Sequence, residues 1–345
     1  MASALVLLVL VVALALAFDY VNGFHDTANA VATVVSTGVL PARTAVLLAA
    51  ACNFGGAFFG VGVAKTIGGD IADPASITQI VVAAALIGAI LWNLLTWYYG
   101  IPSSSSHALI GGLIGAVWCH RTMVGDPTGA ALWGLLTSKG VLLTLKALVV
   151  SPIAGMLGGF ILMVLLTWVA LPLRPSTVNR GFRVLQLGSA SLMAFAHGSN
   201  DAQKAMGIIT MALATYAASQ GAPSSDLTVP TWVIVSCATA MALGTSAGGW
   251  RIMRTMGHKI IKLRPINGFA AETSAAVVIM VATYFKAPVS TTHVISSSIM
   301  GVGASKRVSA VRWGVARGMF IAWVLTIPVS ALVAAGVYAF LSLFL

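Results

Sequence analysis

Charge is what this sequence has least of. Lysine, arginine, aspartate and glutamate together make up only 8% of its 345 residues, and just eight are acidic. A water-soluble domain of this length needs far more polar surface, so a soluble globular protein is excluded. No polar stretch exceeds about a dozen residues, which leaves no room for a separate soluble domain. Cysteine is scarce too. Cys52, Cys119 and Cys237 stand far apart in apolar surroundings, which excludes a disulfide framework and a paired-cysteine metal site and makes them small buried hydrophobes. What is present is apolar: 59% of residues are hydrophobic and the mean hydropathy is +0.97. Runs long enough for the ~20 residues of a bilayer span recur from end to end. The net charge of +11 has no soluble basic domain to carry nucleic-acid binding. Its basic residues gather at 174–183, 251–264 and 306–317, as cytoplasmic loops do.

Ala15-Leu16-Ala17 resembles a cleavage site after an apolar run, but no positive region precedes it. We therefore expect this segment to be a membrane helix that stays on the protein.

An internal repeat organises the rest. Gly23-Phe24-His25-Asp26-Thr27-Ala28-Asn29-Ala30 aligns with Gly198-Ser199-Asn200-Asp201-Ala202-Gln203-Lys204-Ala205. Pro102-Ser103-Ser104-Ser105-Ser106-His107 aligns with Pro288-Val289-Ser290-Thr291-Thr292-His293, and Gly115 then matches Gly301. Two polar motifs kept in order indicate duplication. Equivalent loops carry opposite charge bias: 65–78 holds Lys65 against Asp70 and Asp73, whereas 251–264 holds five basic residues; 38–44 holds Arg43, whereas 219–229 holds Asp226. Opposite bias predicts inverted topology. Both flanks of the second Ser/Thr motif (251–264, 306–317) are basic and both flanks of the first (65–78, 119–128) are not, so each motif is expected at the tip of a re-entrant hairpin, with Pro102 or Pro288 stopping the entering helix. The expected fold is thus an all-α polytopic membrane protein: two inverted-topology repeats with broken helices and two re-entrant hairpins. Residues 1–172 form the first repeat (broken helix, spanning helix, hairpin, long helix marked by Pro152), 173–182 a cytoplasmic linker, and 183–345 the second repeat, with Pro328 in its long helix. The first and last elements of each half exceed one straight crossing, so tilt, kinks or division are expected. Both termini are placed outside the cell membrane.

Asp26, Asp201, Glu272 and Asp19 fall within or beside apolar stretches, where an ionisable group is costly and marks function. The alternative for one such Asp is a plain helix cap; matched copies in both halves argue against it. Gly23 and Gly198 are expected to let the backbone unwind, so that the Asp caps the next segment and offers a hard ligand to a cation or a seat for a proton. Asn29 shares a helix face with Asp26. Its counterpart is Lys204, whose ammonium can pair with Asp201, replace a coupling cation, or merely snorkel. Ser103 to Ser106 and Ser290 to Thr292 offer hydroxyls and free N–H groups at helix starts, a place for an oxyanion; the plainer reading is recapping of broken helices. His107 and His293 can orient hydroxyls, shuttle a proton or help accept a divalent metal, though each alone is more often structural. His25, opposite Asn200, is the least symmetric candidate.

These motifs resemble the inorganic phosphate transporter (PiT) family over essentially the whole chain, most of all its bacterial low-affinity permeases. NGFHDTANAVATVVSTGVL and AHGSNDAQKAMG look like the paired family motifs, GIPSSSSHALIGG and APVSTTHVISSS like the hairpin pair, and GFAAETSAA resembles a further family segment. The resemblance implies secondary active import of phosphate, not enzymatic activity. Phosphate binding falls to Ser104, Ser105, Ser106, Ser290, Thr291 and Thr292. The coupling ion or proton falls to Asp26, Asn29, Asn200, Asp201, Gln203, Lys204 and Glu272, with His25, His107 and His293 as weaker candidates. No fixed metal ligands and no cofactor are assigned; the coupling cation is H+ or Na+, and a divalent metal can travel with the phosphate. The sodium-coupled branch resembles NDVANA in both halves, whereas these halves read HDTANA and NDAQKA. A sulfate permease of the same family, a passive anion channel and a homodimer are compatible with the sequence. An intramembrane hydrolase using Ser106 or Thr292 is disfavoured, because sequence-adjacent Ser and His rarely reach the geometry nucleophilic catalysis needs.

Overall fold

The computed structural model describes residues 2–70, 77–125, 133–134, 136–221 and 228–344, and every regular element among them is helical. Helices α1 (Ala2–Ser36), α2 (Ala42–Gly56), α3 (Gly62–Lys65), α4 (Gln79–Tyr99), α5 (Ser105–Met123) and α6 (Lys139–Ala170) come first. Then follow α7 (Pro175–Ser219), α8 (Thr231–Ala247), α9 (Trp250–Arg254), α10 (Pro265–Tyr284), α11 (Thr291–Ala304) and α12 (Trp313–Leu341). The order of lengths repeats, and so do details: α3 and α9 each run into a π-helical turn, Thr66–Asp70 and Thr255–Lys259, and α6 and α12 each hold an internal proline, Pro152 and Pro328. Residues 175–182 of the expected linker are the first turns of α7. Asp73, residues 126–128 and Asp226, on which part of the loop-charge reading rests, lie outside the described residues.

Helices α1, α4, α6, α10 and α12 are each long and apolar enough to cross a membrane, and α8 with α9 passes the same test as a pair bent by 59°. The molecule is polar inside and apolar outside. Ile153, Leu165, Trp168, Val324 and Leu332 of α6 and α12 are exposed, whereas Asp, Asn, Lys, Ser and Thr side chains are buried. Only a hydrocarbon solvent makes that arrangement stable.

The two Ser/Thr motifs sit where one helix ends and the next begins. Helix α4 stops at Gly100, in the left-handed region (φ 64°), where the Ile101 and Gly100 N–H groups donate back to Thr96 and Trp97 carbonyls. Helix α10 closes the same way, with Ala287 donating to Ala282 and Lys286 to Thr283, and there Lys286 takes the left-handed position (φ 59°). The stops therefore come two residues before Pro102 and Pro288, which lie in the extended tips; the carbonyls are satisfied by the left-handed turn, not by the prolines. Helices α5 and α11 start as expected, with Ser104 and Ser290 accepting from the His107 and His293 amides.

The halves are interwoven. A Cβ at Gly23 of α1 would run into the Met241 carbonyl of α8, and one at Gly198 of α7 into the Asn53 carbonyl of α2. Gly115 of α5 lies against α12 and Gly301 of α11 against α6 in the same manner. Thr66 donates to the Lys286 carbonyl at 3.0 Å while Thr255 donates to the Gly100 carbonyl at 2.9 Å. Each half thus braces the other's turn. These contacts also correct an expectation: α1 and α7 run unbroken through Gly23 and Gly198. The glycines bring two helix backbones together instead of unwinding one, so Asp26 and Asp201 sit within helices and cap nothing.

Two apolar clusters enclose a polar layer. Helix α1 contributes Leu8 to Phe18 to the first and Ala28 to Val34 to the second; α7 contributes Ala190 to Ala196 to the second and Ala202 to Ala212 to the first. The two helices pass through the clusters in opposite senses, and both motifs fall at the boundary.

Candidate functional site

At that boundary the motifs converge. Asp26 receives the Thr292 hydroxyl on Oδ2 (3.4 Å) and touches His25 Nδ1 through Oδ1 (2.5 Å). Asn29, one turn on, donates its amide to Thr291 (3.3 Å) and Thr292 (2.9 Å). The first-half motif therefore grips the second-half tip, with partners more than 260 residues away. Asp201 accepts from Lys204 on Oδ1 (2.6 Å) and from Thr291 on Oδ2 (3.2 Å). Lys204 also donates to the Ser106 hydroxyl and to the Val289 carbonyl (3.2 Å), and Ser106 donates to the same carbonyl (3.1 Å). The ammonium is fully buried, with a carboxylate, a hydroxyl and a carbonyl around it. Of the readings open for Lys204, snorkelling is excluded.

The tips face one another. Besides Ser106 on Val289, the His107 and His293 rings meet edge to face, centroids 4.6 Å apart, and His293 stacks on Trp323, whose indole N–H holds the Pro102 carbonyl at 3.0 Å. His107 Nδ1, His293 Nε2, Asn29 Oδ1 and the Ser105 hydroxyl are buried with no hydrogen-bond partner among the described residues. His25 reaches from α1 to Thr96 of α4 (3.1 Å) and to Ser103 (3.3 Å), tying Asp26 to the first tip. Every one of these polar side chains is at most 3% exposed, and Trp323 only 6%, so a substrate reaches them only when helices move apart.

Three predicted residues lie apart. Gln203 accepts the Val63 and Ala64 amides, capping the start of α3, and donates to the Ser199 carbonyl; its amide is committed to backbone. Asn200 donates to Thr283 and to the Ala287 carbonyl at the end of α10. Glu272 occupies a separate polar nest, accepting from Thr33 (2.5 Å), Gln186 (2.9 Å) and Ser189. His197 was not foreseen. It stands one turn before Asp201, 3.5 Å from its carboxylate, and its ligand atom lies within 4.8 Å of those of Asp26 and Asp201, a spacing suited to a cation. Its signal was the i, i+4 relation to Asp201, on the same helix face.

Buried hydroxyls from two facing tips, two carboxylates and a buried ammonium inside an apolar helical shell define a polytopic membrane transporter. Residues 22–334 match the phosphate transporter family, to which the chain belongs. It is 51% identical to a probable low-affinity inorganic phosphate transporter of Bacillus subtilis (strain 168), over 98% of both chains. Like-named proteins of Rhizobium meliloti (strain 1021; 49%, 96% of both chains) and Mycobacterium tuberculosis (strain CDC 1551 / Oshkosh; 46%, 97% of this chain and 77% of that one) are similar. A solved structure titled as the sodium-dependent phosphate transporter shares the fold, with TM-score 0.84 over 99% of this chain and 100% of the other at 24% identity. The chain is accordingly a multi-pass transport protein and not an enzyme.

Proposed function

We propose that the protein imports inorganic phosphate across the cell membrane by symport with H+ or Na+, through two inverted repeats whose re-entrant tips hold the anion. The observation that carries this reading is the meeting of the two Ser/Thr tips beside Asp26 and Asp201. Ser105, Ser106, Thr291 and Thr292 surround the oxyanion, with the N-termini of α5 and α11 aimed at it. Ser104 and Ser290, as N-caps, shape those termini. Lys204 supplies positive charge to the first tip.

Asp26, Asn29 and Asp201 take the coupling cation or proton, and His197 lies within reach of the same ion. Lys204 occupies on the second-half side an all-oxygen shell of the kind a sodium ion would otherwise take, which supports fewer coupling ions than two identical halves would bind. Glu272, with Thr33, Gln186 and Ser189, forms a second coupling nest, while Gln203 and Asn200 position α3 and the α10 turn. The opposite passage of α1 and α7 through the two apolar clusters supports inversion, and alternating access then follows from rocking one helix group against the other. Full burial of the site favours a transporter over a passive channel. A divalent metal carried with phosphate suits the Asp26–His197–Asp201 grouping, and sulfate is the competing anion.

Labelled-phosphate uptake tests the reading. Asp26→Asn and Asp201→Asn should each abolish uptake while the protein still inserts in the membrane; normal uptake in both overturns it. Sulfate competing as well as phosphate would reassign the anion.

A further inference from the structure

Asp19 takes no part in the central cluster, yet it is fully buried on α1; Asn22 and Cys237 stand against its carboxylate, but neither oxygen has a partner at full hydrogen-bond geometry among the described residues. Asp26, Asp201 and Glu272 all have such partners. Asn22, one turn on and also fully buried, has both amide atoms unpartnered. Cys237 of α8 stands against Asp19, and the charges that reach it are Asp201 and Lys204 of α7. Helix α4 carries no charged residue, and α2 brings only Arg43, exposed at its start, and Cys52, beside Ser191 of α7.

An ionised carboxylate without hydrogen bonds is untenable at this depth, so Asp19 holds a positive counterpart. A hard metal ion asks for about six oxygen ligands. Here the neighbouring side chains are one amide and one thiol, and the α1 carbonyls are engaged in an unbroken helix. A proton asks for one oxygen. A neutral carboxyl also leaves no charge for one amide and one thiol to balance.

Building on the phosphate-symport reading, we propose that Asp19 is a proton-carrying residue of the transport cycle, separate from the central cluster, whose carboxyl takes up a proton from one side and releases it to the other. With the proton on, the layer holds Asp26 and Asp201 against Lys204. With it off, a third buried carboxylate lies within electrostatic reach of the anion site. Phosphate binding and Asp19 protonation therefore favour each other, by equal factors.

The test uses the full chain in proteoliposomes, comparing phosphate accumulation driven by an inward proton gradient with phosphate exchange at equal concentrations. In Asp19→Asn, which can neither gain nor lose the proton, the ratio of driven accumulation to exchange should fall at least ~10-fold, and Asp19→Glu should recover most of it. In parallel, infrared spectra of the wild type should show a protonated-carboxyl stretch that is missing in Asp19→Asn and shifted in Asp19→Glu. An unchanged ratio in Asp19→Asn, a wild type driven by Na+ alone, or the absence of that infrared band overturns the proposal. A wild type that carries no phosphate overturns the symport reading instead, and the infrared band still decides whether Asp19 holds a proton.

Discussion

The two Ser/Thr tips share a sequence pattern, a Ser N-cap and a left-handed turn before them, yet their surroundings differ. The second tip is held by side chains: Asn29 and Asp201 both engage Thr291, and Asn29 and Asp26 both engage Thr292. At the first tip Lys204 engages Ser106, while Ser105, the counterpart of Thr291, has no hydrogen-bond partner among the described residues. One hydroxyl row is braced and the other partly free. A duplicated frame fixes where polar groups go, and exchanges within it, above all Asn29 in one half against Lys204 in the other, change what they hold.

The largest expected effect comes from removing that change. Lys204→Asn makes the halves alike at this position and leaves Asp201 buried without its cation, which should cost ~3–5 kcal/mol of stability. Thermal unfolding in detergent checks this, and replacing potassium with sodium should recover part of the loss in the variant but not in the wild type. Equal stability of variant and wild type would mean that the ammonium is not the organising charge.

The helix crossings are next. Gly23→Ala and Gly198→Ala should each cost up to ~3 kcal/mol, because a methyl meets a backbone carbonyl that has nowhere to go. If one is neutral and the other is not, the crossings differ in tightness between halves. Thr291→Val removes a hydroxyl bonded to both Asn29 and Asp201 and should cost ~1–3 kcal/mol in the same assay. Ser105→Ala should leave stability within ~0.5 kcal/mol while raising the KM for phosphate, since in the proposed function that hydroxyl serves the substrate and not the fold. The reverse pattern would exchange the roles of the two tips. A small effect lies at the turns: Lys286→Gly should stabilise by ~0.5–1 kcal/mol by relieving a left-handed lysine, and Gly100→Ala should destabilise by about as much.

Much of this was legible in the chain. The scarcity of charge required a bilayer, the paired motifs indicated a repeat, and the Ser/Thr clusters declared helix starts, all through properties that act over one span or one turn. The glycines misled. Their freedom of backbone rotation suggested unwinding at Gly23 and Gly198, but the same lack of a side chain serves close packing, and only the positions of Met241 and Asn53 reveal which use applies. Glu272 and Gln203 show the same limit: their partners, Ser189 and Gln186 for one and the α3 amides for the other, lie 83 to 140 residues away.

By itself, then, the sequence determined the solvent, the duplicated order of elements, the caps and the identity of the polar residues at membrane depth. Span length, helix capping and left-handed turns are local, and the chain encodes them within about twenty residues. The tertiary structure alone decided that each half's motif helix crosses the other half, that Asp26 and Asp201 come together while Glu272 has its own nest, and that Asp19 is buried apart from the central cluster. Those outcomes depend on which surfaces pack together, because a buried polar group is defined by the partner that reaches it across the fold.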